Sequence, residues 1–433
     1  MTTTISNPLT RLNRCISMVE ASAPAYSRDP VSDFTRKRKL PFDKLILFLL
    51  QNGLESINSS ISLNFSKVED MPSASAICQA KDKLLPECLL RILYLFNLSH
   101  PELKTFRGWT LLAFDGSAIN VPFDPDDSFT LVKNGDMIYS QYHLNALYDV
   151  MNGIFYDVIL DSPSKTREVK ALMEIMDNGN FPEKSIFIMD RGINSYEMLA
   201  KCQEENRKVI VRSKDIDSKT GMLKNLNLPN GEFDETRTII LTRKQDKEIK
   251  SHPEKYRYLH WGVSFPLMPT DVNSFYELTI RIIRKEVEKG KFITVITNLT
   301  PDEFSGDDLI ELYCLRWREE GAFLKLKYSI AMLHFNSKKR NHLQQEIYAS
   351  LILYNLCSIS LVEEEIYKKT EKYEWRIEFS AAVTNVRMLL RGQINWEDFK
   401  NRIKKFLVPI RPGRKHPRKI KRQSVRSLVH RAA

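Results

Sequence analysis

Three carboxylates and one helix face are the parts of this chain whose residue types and spacing could do chemistry. Asp115 closes the apolar run Trp109–Phe114, and Asp190 closes the apolar run Ser185–Met189. Each run has the aliphatic and aromatic content of a strand. Carboxylates just beyond strand ends of an α/β sheet converge in the crevice outside the sheet. Two of them brought close repel, and a cation between them relieves the repulsion. Magnesium suits such a site, because it takes hard oxygen ligands and keeps part of its water. A lone aspartate after a strand more commonly caps the next turn, so neither residue decides the matter alone.

The third carboxylate belongs to a spaced set. Tyr313, Arg316, Glu320 and Lys327 are separated by offsets of 3, 4 and 7. A helix is predicted from about Asp307 to Tyr328, with Ser305 and Asp308 spaced as a capping box. At about 100° per residue the four side chains fall within an arc of roughly 60°. Glu319 points about 100° away from Glu320 and is the poorer candidate. An exposed helix with ordinary i, i+4 pairs such as Arg316–Glu320 would show the same spacing. The apolar neighbours Leu309, Leu312, Trp317, Phe323 and Leu324 favour a face that lines a site.

These side chains need elements to hold them. Residues 1–105 read as helical, with Pro41 at the entry to Asp43–Leu54. Ser75–Leu85 and Pro86–Asn97 form either a helix-turn-helix reader of DNA or a plain helical hairpin. From 106 to 212 the order is strand, hairpin, helix, strand, helix, strand, with Met151-Asn152-Gly153 as the hairpin turn. The helices there are Arg167–Asn178 and Ser195–Asn206, and Val209–Val211 is the last strand. This is an α/β layout. Strands at Thr236–Thr242, Glu277–Arg284 and Phe292–Thr297 make 213–300 a β-rich insertion. Residues 301–345 return to the core, 346–406 read as helical, and 407–433 form a basic tail.

Composition bounds the rest. The 433 residues are 42% hydrophobic and 27% charged, which excludes a wholly disordered chain. The densest apolar run, Leu45–Leu50, is too short to span a bilayer. Met1-Thr2-Thr3-Thr4 lacks the basic and apolar regions of a signal peptide. Cysteines 15, 78, 88, 202, 314 and 357 form no CxxC pair and read as reduced, mostly buried thiols of a cytosolic protein, not a zinc site. The net charge is +11, but 13 of the 65 basic residues and none of the 54 acidic ones fall in 399–433. The remaining 52 basic and 54 acidic residues leave the body at −2. Such a tail is either a solvated segment or a phosphate-binding arm. Arg36-Lys37-Arg38-Lys39 is a smaller basic cluster at a helix entry.

Tyr313-x2-Arg316-x3-Glu320-x6-Lys327 resembles the Tyr-Arg-Glu-Lys signature of a large group of bacterial insertion-sequence transposases. These are DDE enzymes with an RNase H-like core. Asp115-Gly116-Ser117 resembles their first-aspartate motif, and Met189-Asp190-Arg191-Gly192 resembles the second. A β-rich insertion between the second aspartate and the glutamate is likewise a family trait. The likeness runs through roughly residues 105–345. The Ser75–Leu93 region and Arg411-Pro412-Gly413-Arg414 are also similar to family sequences.

The resemblance implies an α/β fold: an RNase H-like catalytic core interrupted by the β-rich insertion and flanked by helical N- and C-terminal regions. Asp115, Asp190 and Glu320 would hold two Mg2+ or Mn2+ ions for in-line attack on a phosphodiester, first by water and then by the freed 3′-hydroxyl. Tyr313, Arg316 and Lys327 would grip phosphates of the transposon-end DNA, and Arg191 would contact DNA beside them. Members that form a hairpin at the transposon end stack a tryptophan on a flipped base. Phe292 or Ile293 stands nearest that position here, neither of them a tryptophan, and Phe292 would stack less extensively, which leaves the hairpin step open. The implied protein is a DNA transposase that cuts and joins at its element's inverted-repeat ends by cut-and-paste. It would act as a homodimer on double-stranded end and target DNA in the bacterial cytoplasm, nucleoid-associated when bound, with no membrane partner. A catalytically inactive or domesticated DNA-binding protein, or a metal-dependent nuclease of the same fold, are the alternatives.

Overall fold

The computed structural model describes residues 7–36, 39–100, 103–163, 168–218, 220–263, 265–269, 271–363, 368–369 and 374–410. The chain opens with α1 (Pro8–Glu20), α2 (Phe42–Leu50), α3 (Ile57–Asn64), α4 (Ala74–Lys83) and α5 (Glu87–Leu98). Their starts are set by capping chemistry. Asn7 and Ser73 side chains accept the N3 backbone N–H of α1 and α4, and Pro86 ends the approach to α5. Next come β1 (Thr110–Val121), β2 (Leu131–Asn134), β3 (Met137–Asp149), β4 (Ile154–Asp161), α6 (Glu168–Asn178), β5 (Ser185–Met189), α7 (Tyr196–Glu204) and β6 (Lys208–Arg212). The β3–β4 turn has Gly153 at φ +71°, a conformation glycine adopts without a Cβ clash.

Residues 213–300 contain β7 (Phe233–Thr242), α8 (Lys247–Ser251), β8 (Tyr256–Tyr258), β9 (Phe275–Glu288) and β10 (Lys291–Thr297). After them follow α9 (Gly306–Leu315), α10 (Trp317–Leu324), a π turn at Lys325–Ser329, and α11 (Arg340–Glu363). The chain then forms β11 (Lys368–Lys369), β12 (Glu374–Ile377), α12 (Phe379–Leu390), α13 (Trp396–Ile403) and β13 (Leu407–Ile410).

One large mixed sheet organises the fold, in the order β2-β3-β1-β5-β6-β10-β9-β7-β8. β4 pairs with β3 beyond the stretch that β2 occupies. β1, β5 and β6 run parallel, while β3 and β10 are antiparallel to their neighbours β1 and β6. Every residue of β5 is buried, as expected of a parallel strand covered on both faces. β7 to β10 extend the same sheet through the β10–β6 pair, rather than folding apart from it.

Helix α11 packs against α1, α2, α4, α5, α12 and β4. It is long and apolar enough to cross a membrane by length and composition, but 78% of that stretch is buried inside the protein, as in a core helix. Buried polar links fix it. Lys81 on α4 pairs with Glu346 on α11 at 2.6 Å, with side chains 4% and 6% exposed. Asn355 Nδ2 donates to Asn97 Oδ1 and to the Phe155 carbonyl, each at 2.8 Å, tying α11 to α5 and β4. Cys15, Cys88, Cys202 and Cys357 are buried, and no cysteine among the described residues is paired.

Four expectations change. Asp115 does not end its strand: β1 continues to Val121, because Gly116–Val121 go on pairing with β3 after the parallel pairing with β5 stops at Phe114. The helix expected over Asp307–Tyr328 is interrupted at Arg316, where the N–H groups of Arg316 and Glu319 donate to carbonyls three residues back. The expected boundary at 345 falls inside α11. Leu407–Ile410 is a strand paired with β12, with Pro409 on the sheet edge where a missing N–H is tolerated. Arg411-Pro412-Gly413-Arg414 and the rest of the tail lie outside the described residues, as do Lys37 and Arg38.

Candidate active site

β1 and β5 are in register up to the pair Phe114–Met189. Asp115 and Asp190 therefore follow the same rung of two adjacent parallel strands. The Asp115 carboxylate accepts the Gly116 N–H at 2.8 Å, and Asp190 enters the 3-10 turn Arg191–Ile193. The helical segment across from them delivers all four spaced residues. Tyr313 OH donates to Asp190 Oδ1 at 3.1 Å. Arg316 Nη1 lies 3.1 Å from Asp115 Oδ2, and its Nη2 lies 3.6 Å from Glu320 Oε1. Lys327 Nζ donates to Ser117 Oγ at 2.8 Å. The capping box at Ser305 and Asp308 fixes the start of α9, which carries Tyr313.

Burial shapes the charges. Tyr313 is fully buried and Arg316 is 4% exposed, whereas the Asp115 and Glu320 side chains are 32% and 39% exposed. Burial raises the Asp115 pKa above the usual carboxylate value; the Gly116 N–H and the Arg316 guanidinium act against it. Burial and the nearby Asp190 charge push the Tyr313 phenol up, and burial pulls the Lys327 ammonium down. Tyr313 and Arg316 are thus engaged with the two aspartates themselves.

Glu319 behaves unlike its neighbour. It is completely buried, and neither carboxyl oxygen meets hydrogen-bond geometry with any partner. Burial, with the Asp115 charge, pushes its pKa well above the usual carboxylate range, and Arg316 offsets part of that. The interruption at Arg316 gives Glu319 and Glu320 different surroundings on the same helix, one in the interior and one at the site's edge.

Arg191 and Phe292 line one cavity of about 330 Å³, together with Arg212, Lys214, Asp215 and Thr294. The Arg284 guanidinium lies 3.7 Å from the centre of the Phe292 ring and is itself held by Asp215. The structure therefore brings Asp115, Asp190, Tyr313, Arg316, Glu320 and Lys327 together, and places Phe292 in a pocket shared with Arg191.

Three contributors lie outside the spaced set. Ser117, the partner of Lys327, stands in the Asp115-Gly116-Ser117 motif. His143 on β3 and Glu168 on α6 meet beside Gly116, with Nε2 to Oε1 at 3.2 Å. Among the described residues, no three His, Cys, Asp or Glu side chains are gathered closely enough to hold a metal ion. The donor set is nonetheless all carboxylate oxygen, which suits Mg2+ or Mn2+, and Arg316 supplies the cationic charge between Asp115 and Glu320.

Two aspartates on adjacent strands, faced by a glutamate, an arginine, a tyrosine and a lysine, define an acidic centre braced by one helical segment. Residues 108–356 match the family model described as the transposase DDE domain. The match spans more than half of the chain, and the protein belongs to this family of DDE transposases. A search of curated proteins gave no match. Among solved structures, the chain is similar to one described as a cryo-EM structure of a piggyBac transposase synaptic complex with hairpin DNA. The identity is 8%, the alignment covers 94% of this chain and 87% of that chain, and the TM-score is 0.41.

Proposed function

We propose that this transposase cleaves and joins phosphodiester bonds at the inverted-repeat ends of its own element, with Asp115, Asp190 and Glu320 as the catalytic carboxylates. The observation that carries the reading is the convergence of the Tyr-Arg-Glu-Lys residues on both aspartate motifs. The strand order β4-β3-β1-β5-β6, with β1, β5 and β6 parallel, supports an RNase H-like core. In that core β7 to β10 are the β-rich insertion of residues 213–300. The signature supports a bacterial insertion-sequence origin, cut-and-paste movement, a homodimer across two DNA ends, and a place in the cytoplasm on the nucleoid.

The chain's own residues divide the work. Tyr313 orients the Asp190 carboxylate through its hydroxyl. Arg316 holds Asp115 and Glu320 on one guanidinium and keeps their charges compensated until substrate arrives. Asp115, Asp190 and Glu320 would hold Mg2+ or Mn2+, which when bound supplies charge for activating water or a 3′-hydroxyl and for stabilising the leaving oxygen. Lys327 and Arg191 offer cations to phosphates at the margins of the site. Phe292 offers an aromatic wall for a base, in a cavity whose other cations suit a nucleic-acid backbone.

The test is nicking of a supercoiled plasmid carrying the element's ends, in Mg2+, with purified protein. Asp190→Asn is expected to shift end DNA in a gel as the wild type does while producing only background nicks. Nicking by Asp190→Asn at the wild-type rate would remove Asp190 from the chemistry.

A further inference from the structure

A carboxylate outside the spaced set lies against the first aspartate motif. Glu168 is the first residue of α6, and its Oε1 is 3.2 Å from Nε2 of His143. His143 stands opposite Ala118 in the β1–β3 ladder, on the same pleat face as Gly116 two residues back. A Cβ at Gly116 would overlap His143 Nε2 and stand 2.8 Å from Glu168 Oε1. A Cβ at Gly192 would lie 3.8 Å from Glu168 Oε2. The two oxygens of Glu168 thus reach the glycine directly after Asp115 and the glycine two residues after Asp190.

A plain surface ion pair does not explain this placement. The His143 side chain is 15% exposed, and the pair fits only because Gly116 has no side chain. Glu168 also acts on Asp115, its negative charge adding to that of Asp190. A second observation points the same way: on the helix side Glu319 is fully buried, and neither of its carboxyl oxygens is satisfied by a hydrogen bond of normal geometry. Asp115 and Glu320 share the single guanidinium of Arg316, and Glu168 brings a further carboxylate to the glycine beside Asp115. Carboxylates so arranged are relieved by a bound cation.

We propose that Glu168, oriented by His143, is a fourth carboxylate of the catalytic centre and shares in holding the divalent cation there. This rests on the assignment of Asp115, Asp190 and Glu320 given above. Gly116 is then the residue that leaves room for it, and His143 is a positioning residue.

The experiment is Mn2+ binding to the full-length protein without DNA, read from the EPR signal of free Mn2+, with thermal unfolding as the check on folding. The variants are Glu168→Gln, Asp115→Asn, and Glu204→Gln on α7 as a carboxylate outside the site. Glu168→Gln is expected to weaken Mn2+ binding by roughly tenfold or more, Asp115→Asn at least as much, and Glu204→Gln not at all. His143→Asn is expected to weaken binding too, with an unchanged unfolding temperature. Wild-type Mn2+ affinity in Glu168→Gln, beside a weakened Asp115→Asn, overturns this inference and leaves the active-site reading standing. Wild-type affinity in both overturns the active-site reading itself. Should Glu168→Gln fail to fold, Glu168→Asp withdraws the carboxylate by one methylene and is read by the same criteria.

Discussion

Arg316→Met removes the one guanidinium that touches both Asp115 and Glu320. Breaking a fully buried ion pair costs about 3–5 kcal/mol, and breaking an exposed one costs about 0–1 kcal/mol. Arg316 is almost wholly buried, but its partners keep about a third of their surface in water. The expected loss therefore lies between the two limits, at about 2 kcal/mol. Urea unfolding in metal-free buffer measures it, with an unchanged slope showing that the surface exposed on unfolding is the same. Mg2+ then supplies a second reading. A cation held a hundredfold above its Kd stabilises by about 2.7 kcal/mol, and a site without its guanidinium binds that cation better. Mg2+ should therefore stabilise Arg316→Met by more than it stabilises the wild type. A loss under about 0.5 kcal/mol, within the range of ordinary surface substitutions, would refute the reasoning. So would an equal Mg2+ effect on both proteins.

Two further predictions concern acid and salt. His342 is 1% exposed, and burial together with nearby Lys81 pulls its pKa from 6.5 down to about 4, with Asp82 opposing. The unfolded chain binds the proton first, so stability is full above about pH 6.5 and falls as pH drops towards 4, by at most about 3 kcal/mol. In His342→Gln the pH–stability curve should flatten over that window, and curves parallel to the wild type would contradict the assignment. Truncation after Ile410 keeps β13 paired with β12 and removes nine Lys and Arg residues. It should weaken binding to end DNA and flatten its dependence on salt, because phosphate contacts release counterions. An unchanged salt slope would show that the tail makes no such contacts.

The parts of the fold legible in the sequence were those fixed by local chemistry. The apolar run Ile186–Met189 of β5, the glycine turn between β3 and β4 and the Ser305–Asp308 capping box each act within a few residues. The spaced set was legible for the same reason, since helical periodicity is local. Long-range pairing was not. Gly116-Ser117-Ala118 has weak strand propensity, and only its ladder with β3 makes Asp115 a mid-strand residue. The interruption at Arg316 has no Gly or Pro to announce it. Glu168 and His143 reach Gly116 from separate elements, and their spacing from Asp115 carries no periodicity. Leu407–Ile410 reads in the sequence as part of the basic tail, whereas it folds as an edge strand that accommodates Pro409.

The central claim is that Glu320, and not its buried neighbour Glu319, completes the catalytic carboxylates. The most direct measurement compares Mg2+-dependent nicking at the element's ends by Glu320→Gln and Glu319→Gln, with end-DNA binding followed in parallel. Glu320→Gln should bind end DNA as the wild type does and give only background nicking. Glu319→Gln, which exchanges a fully buried carboxyl for an amide of similar size, should retain nicking. Wild-type nicking by Glu320→Gln, or its loss in Glu319→Gln alone, would contradict the account.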